Sequence, residues 1–300
     1  MSERYSHLLP DVRVLVDRSR QERIEFVQSD QWIGYPAANA AMDRLESLLT
    51  QARSPRMESG LLVGNAGNGT TTILETFAAR HGDPQRLRDA EGRPSHRPLP
   101  VMVITIPREA GDAAVWTAIL DRLRCAPPRK AEALKPYACA IMDQMQVRML
   151  ILDEVHSIAS LRPSAQRDRL RLIAGLADDL RLAIVAAGNS QAQAVLANDP
   201  QTAGRFTPFV LPRWQNNQDF RDFLASYERL LPLPEPLRLT EQAPLEALLA
   251  ASGGILGHVV RILRRAATAA IRDGRLYIDL RLIEATIDDP FGRQSHRTVG

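Results

Sequence analysis

Three hundred residues, 45% of them hydrophobic and 24% charged, exceed a single small domain and suit a core of about 200 residues with an accessory domain. The formal net charge of +3 is carried almost wholly by arginine, since Lys130 and Lys135 are the only lysines, and it fits nucleic-acid contact as well as a merely solvated surface. Two isolated cysteines, Cys125 and Cys139, exclude a disulfide scaffold and structural zinc, and no apolar run approaches the roughly 18 residues of a membrane span, so a cytoplasmic protein with no membrane partner is expected.

In chain order, Asp11 to Gln28 is polar and charged, with Val12, Leu15, Val16, Ile24 and Val27 near helical spacing. Trp32-Ile33-Gly34-Tyr35-Pro36 interrupts it, and Ala37 to Ala52 resumes as a helix with Met42, Leu45, Leu48 and Leu49 on one face. Gly60 to Val63 is a short apolar strand, followed by a glycine-rich turn, a helix from Thr71 to about Arg80 and a polar loop over 81–98. Val101 to Ile106 is a second buried strand, with helices expected near 112–125 and 130–147. Met149 to Leu152, Leu182 to Ala187 and Thr207 to Leu211 supply three more strands. Continuous apolar runs alternating with helices predict an α/β fold with a parallel five-stranded sheet flanked by helices. From Asn217 onward the pattern is helical only, near 217–230, 241–251, 256–272 and 279–287. The expected organisation is an N-terminal helical segment over 1–52, a nucleotide-binding core over 53–213, a helical lid over 214–290 and a tail over 291–300.

The segment Gly64-Asn65-Ala66-Gly67-Asn68-Gly69-Thr70-Thr71-Thr72 carries the chemistry. A Walker A loop has the form G-x-x-x-x-G-K-[ST] between a buried strand and a helix. Gly64 and Gly69 hold its glycine positions and Thr71 the magnesium-binding hydroxyl, but Thr70 stands where the lysine belongs. The backbone N–H groups of this segment still curl around an anion at a helix start. What is missing is the ammonium that follows charge onto the β- and γ-phosphates. Downstream, Leu150-Ile151-Leu152-Asp153-Glu154 ends an apolar strand in two carboxylates, the first suited to magnesium and the second to polarising an attacking water. ATP and Mg2+ are the implied cofactors, and the implied activity is that of an ATPase with a non-consensus loop.

Asn189, at the end of the fourth strand, suits orienting that water, or capping the helix that follows. His156 is read as a neighbour of the acids rather than as the base, since Glu154 fills that role. Arg205, before the fifth strand, fits a guanidinium delivered to a neighbouring protomer's γ-phosphate, an exposed surface arginine being the other reading. In the glycine-rich Gly253 to Arg261 segment, His258 or Arg261 could return a basic group to the phosphates, and an ordinary helix start is the alternative.

These features, in this order, resemble an AAA+ ATPase. The flanking Arg23-Ile24, Gln31-Trp32-Ile33-Gly34-Tyr35 and Leu211-Pro212-Arg213-Trp214 make the chain similar to the TniB family, nucleotide-binding transposition proteins related to TnsC, MuB and IstB, over roughly residues 8–290. The resemblance implies an AAA+ P-loop fold with a C-terminal helical lid. It implies an ATP-dependent homo-oligomer, ring or filament, that binds double-stranded DNA largely without sequence preference and recruits or stimulates a DDE-type transposase. It also implies that the loop after the second strand and the segment after Asp153-Glu154 face a central channel, where Arg108, Arg162 and Arg167 would grip phosphates. Thr70 departs from the family's lysine, so binding is expected and hydrolysis is expected to be impaired. Two rivals stay open: a DNA-binding scaffold in which ATP is a structural ligand, and a helicase-loader or secretion-type AAA+ ATPase acting on protein partners.

Overall fold

The computed structural model describes residues 5–54, 56–82 and 98–288, so most of the polar loop over 81–98 and the tail over 291–300 lie outside the described residues. From the N-terminus, α1 (Pro10–Val16), α2 (Arg20–Gln28) and α3 (Pro36–Thr50) precede β1 (Ser59–Gly64) and α4 (Thr70–His81). Then come β2 (Val101–Thr105), α5 (Asp112–Arg122), α6 (Leu134–Gln144), β3 (Met149–Asp153) and α7 (Pro163–Leu180). The series continues with β4 (Ala183–Gly188), α8 (Ser190–Ala197), α9 (Pro200–Ala203) and β5 (Phe206–Leu211). Four helices complete it: α10 (Gln218–Glu228), α11 (Gln242–Ser252), α12 (Leu256–Asp273) and α13 (Leu280–Asp288).

The five strands pair in parallel in the order β2-β3-β4-β1-β5. Every residue of β1, β3 and β4 is buried, as unbroken apolar runs require of strands covered on both faces. β5 is the half-exposed edge, and it alone tolerates a proline, Pro208, which has no N–H to give to a further strand.

Two local features differ from the sequence expectation. Asp11 to Gln28 is two helices rather than one run, because Ser19 starts α2 afresh. The Ser19 hydroxyl oxygen accepts from the Glu22 N–H at 3.2 Å, and the Glu22 carboxylate accepts from the Ser19 N–H at 3.0 Å. Between β3 and β4 the chain forms a short 3-10 helix, Val155–Ser160, and the long α7. The apolar stripe of α7, with Leu170, Ile173, Ala174, Leu176 and Ala177 buried, is hidden in the sequence by the interleaved Arg167, Arg169 and Arg171.

The chain forms two compact units, Ala37–Pro212 and a second one made of Met1–Pro36 with Arg213–Gly300. Within the expected 1–52 segment, α1 and α2 therefore fold with the C-terminal helices, while α3 folds with the sheet. In the helical unit the Arg23 guanidinium donates to Pro232 O at 3.0 and 2.7 Å, and Arg264 donates to Ser29 O at 2.7 Å. Tyr35 lies 4.9 Å from Trp214, centroid to centroid, and Trp214 packs on Phe220 and Phe223 at 5.4 and 5.2 Å. The two tryptophan-bearing segments singled out in the sequence thus meet in one aromatic cluster.

Candidate nucleotide-binding site

The register pairs Val63 with Gly188, so the carboxyl ends of β1 and β4 lie side by side. From there β1 sends the chain across two strands to β2, whereas β4 sends it on to β5 on the other side. This is a topological switch point, where open α/β sheets bind their ligands. Gly67 and Gly69 take φ of 78° and 85°, a left-handed turn that side chains resist, and Gly69 caps α4 without a side-chain acceptor. The first-turn N–H groups of Thr70, Thr71 and Thr72 have no intrahelical acceptor, and they carry the positive end of the helix dipole. Ala66 and Gly67 at the tip are exposed and Asn65 is half-buried, so the turn is open to a ligand.

Asn68 has a second task that no motif reveals. It is 2% exposed, and its amide donates to Leu211 O at 3.1 Å and to Pro212 O at 2.9 Å, tying the loop to the end of β5. Thr70 is half-buried, and its hydroxyl turns back against Gly64, 2.5 Å from where a β-carbon there would sit. A side chain this short, folded under the loop, offers no substitute for a lysine. Lys135 is no stand-in either, since its ammonium is held by Asp179 at 2.7 Å.

The Thr71 hydroxyl donates to Asp153 Oδ2 at 2.7 Å, and Asp153 Oδ1 accepts from the Glu154 N–H at 2.8 Å. The Asp153 carboxylate is thus fixed from both sides, at 4% exposure, between the phosphate loop and β3. Among the described residues no group of three or more His, Cys, Asp or Glu could hold a metal. One hydroxyl and one carboxylate, with no further protein ligands, fit magnesium, which keeps several waters and shares its shell with phosphates. Glu154 follows in a left-handed conformation, φ 61° and ψ 30°, a strained geometry for a non-glycine residue. Its carboxylate lies 3.4 Å from His156 Nε2, and Gly188 makes room for the imidazole, since a β-carbon there would sit 3.0 Å from Nδ1.

Asn189 is at the site but acts as the α8 cap: its Oδ1 accepts from the Gln191 N–H at 2.9 Å. Arg205 is held in its own protomer, 21% exposed, by a two-pronged pair with Asp178 at 2.8 and 2.8 Å and by Ala174 O at 3.3 Å. The pair raises the guanidinium's pKa and, through the same hydrogen bonds, holds the Asp178 carboxyl below its ordinary value. Phe206 pairs with Ser59, so Arg205 sits at the end of the sheet remote from its own Gly64. Five residue steps of about 3.3 Å separate the two ends by roughly 16 Å, beyond an arginine's reach. In the helical unit, Arg261 is exposed on the first turns of α12 and His258 Nδ1 lies 3.3 Å from Ser252 O.

Arg108, in the loop after β2, and Arg162 and Arg167, at the start of α7, are all exposed. Sequence reading missed their neighbour Arg169. It is 1% exposed and donates to Pro107 O at 3.1 Å, Glu109 O at 2.6 Å and Gly111 O at 3.2 Å. Burial lowers its pKa, against the pull of Asp112 and Glu109. No motif announces such a residue, because its partners are backbone carbonyls.

The family model for the bacterial TniB protein matches residues 23–216, well over half of the chain. No curated protein sequence matches it. Among solved structures, the Aeropyrum pernix ORC1 protein in complex with DNA is similar at 19% identity, with a TM-score of 0.61 over 91% of this chain and 69% of that one. The Aeropyrum pernix ORC2 protein in its ADPNP-ADP complexes gives 17% identity and a TM-score of 0.57 over 90% and 72%. A Thermotoga maritima RuvB variant gives 14% identity and a TM-score of 0.50 over 85% and 72%. At these identities the likeness establishes the fold, an AAA+ P-loop architecture with its parallel five-stranded sheet. The family match, which spans both the loop and the Asp153-Glu154 strand, places the chain in the TniB family.

Proposed function

We propose that the chain is a cytoplasmic, nucleotide-gated DNA-binding protein of transposition. As a homo-oligomer on double-stranded DNA it would engage target sites and recruit or stimulate a transposase, with ATP hydrolysis impaired at Thr70. The observation that supports this reading is the 2.7 Å contact between Thr71 and Asp153, which brings together the two halves of the proposed nucleotide site although the lysine is absent. The backbone of 64–72 would cradle the phosphates, and Thr71 and Asp153 would hold Mg2+, whose charge offsets that of the β- and γ-oxygens. Glu154 would orient water, with Asn189 beside it, and Arg261 is the proposed lid contact. Arg205 would act in trans, which its position remote from its own loop favours. Ground-state binding draws on the backbone cradle and the metal ligands. A lysine's charge matters most in the transition state, so binding outlasts turnover. Arg108, Arg162 and Arg167 would contact DNA phosphates.

The test is equilibrium binding of unrelated DNA duplexes, with and without a non-hydrolysable ATP analogue, between about 50 and 200 mM salt. The reading expects tighter binding with nucleotide, little sequence preference and a steep linear fall on a log–log salt plot. Asp153→Ala should abolish the nucleotide effect. Binding that ignores both salt and nucleotide would contradict the proposal and favour the reading in which the partner is a protein.

A further inference from the structure

We infer that Arg169 is a positioning residue for DNA contact, its buried guanidinium holding the 107–111 loop in the shape that presents Arg108. This rests on the DNA-binding reading proposed above. The loop links β2 to α5, and its residues Arg108, Glu109 and Ala110 are exposed. A segment with so little apolar anchorage has no reason of its own to keep one shape. Its carbonyls at 107, 109 and 111 nevertheless all turn inward onto one side chain. Only arginine carries enough donors in a fixed planar fork to satisfy three carbonyls spread over five residues; a lysine ammonium is a single point.

A guanidinium at 1% exposure facing neutral acceptors gives up hydration, and such burial is weak evidence for a gain in stability. What it does supply is order. The same helix supplies the other two cations, since Arg162 caps the start of α7 and Arg167 lies two residues before Arg169. One rigid element thus carries two of the three phosphate contacts and clamps the loop that carries the third. Phosphate contacts set register only when they are held at fixed separations, so a loose loop would leave Arg108 as a mobile charge.

The experiment measures duplex affinity across a salt series, in the presence of the ATP analogue, for wild type, Arg108→Ala, Arg169→Lys and the double variant. Arg169→Lys should lower affinity about tenfold and reduce the salt slope by about one, matching Arg108→Ala, and the double variant should be no weaker than either. Analogue binding should not change. Amide exchange over 107–111 should quicken in Arg169→Lys while β3 stays protected. Wild-type affinity in a folded Arg169→Lys, or full additivity with Arg108→Ala, would overturn the inference. Should the wild-type chain bind no DNA, the functional reading fails instead, and unchanged exchange over 107–111 in Arg169→Lys would overturn the clamp independently. Arg169→Met fills a similar volume without donors; loss of the fold in both variants would make Arg169 a core residue and overturn the positioning role.

Discussion

Gly254 is held at φ +72°, and a β-carbon there would stand 2.4 Å from Trp214 O, part of the backbone pairing in which Trp214 N–H donates to Gly254 O at 2.8 Å. Gly254→Ala must therefore strain its own backbone and part the two segments, and about 2–4 kcal/mol of stability should be lost in urea unfolding. A loss below about 0.5 kcal/mol, the range of ordinary surface changes, would show that the segment yields freely. In the same aromatic cluster, burial pushes the Tyr35 phenol up to about 12 from its ordinary 10. The fold favours the neutral phenol, so stability is unaffected below about pH 10 and declines as pH rises from there through 12. The full swing is about 3 kcal/mol, and Tyr35→Phe should flatten that part of the pH–stability curve. At this scale the meeting of Thr71 with Asp153 is foreseeable, because residue type and spacing bring those two together. The contacts of Asn68 and Arg169 are not, because their partners are main-chain carbonyls 143 and about 60 residues away, which no side-chain pattern encodes.

Strands were legible as elements because β1, β3 and β4 are buried on both faces and so consist of unbroken apolar runs. α7 was not, since its solvent side dilutes the stripe with arginine and aspartate, and Arg169 reverses the rule that charge faces out. If Arg205 serves a neighbouring protomer, as proposed, its guanidinium must first leave Asp178 and Ala174 O. Both side chains are partly exposed, so the pair is worth less than about 1 kcal/mol and is easily given up. Arg205→Ala should thus leave the thermal midpoint within a few degrees of wild type. The Asp178 carboxyl is held below its ordinary 3.8 by hydrogen bonds from Arg205. Its small contribution is complete above pH 3.8 and disappears as pH falls through the lower folded value. Asp178→Asn should remove that acid-side slope and ease ATP-dependent assembly. A large drop in stability for either variant would assign the pair to the fold rather than to the interface.

At the scale of the molecule, the sheet with its phosphate loop and a C-terminal run of helices could be foreseen from alternating and then uniform helical patterns. That residues up to Pro36 fold with Arg213 onward could not, because long-range contacts such as Arg23 with Pro232 leave no local periodicity. If Arg205 completes a neighbour's site, turnover and assembly are coupled. Mixing Glu154→Gln with Arg205→Ala protomers in a Thr70→Lys background should then restore part of the lost hydrolysis, whereas no rescue at any ratio between folded, assembling variants would place Arg205 outside a shared site. With Arg205 given by a neighbour, the proposed nucleotide site would still want for the ammonium that Thr70 lacks. Steady-state ATP turnover of the wild-type chain and of Thr70→Lys, both on DNA, isolates the effect of that ammonium. Thr70→Lys should turn over at least about tenfold faster, roughly 1.4 kcal/mol of barrier, and Glu154→Gln should abolish that gain; equal rates in the two proteins would show that the ammonium is not what is missing.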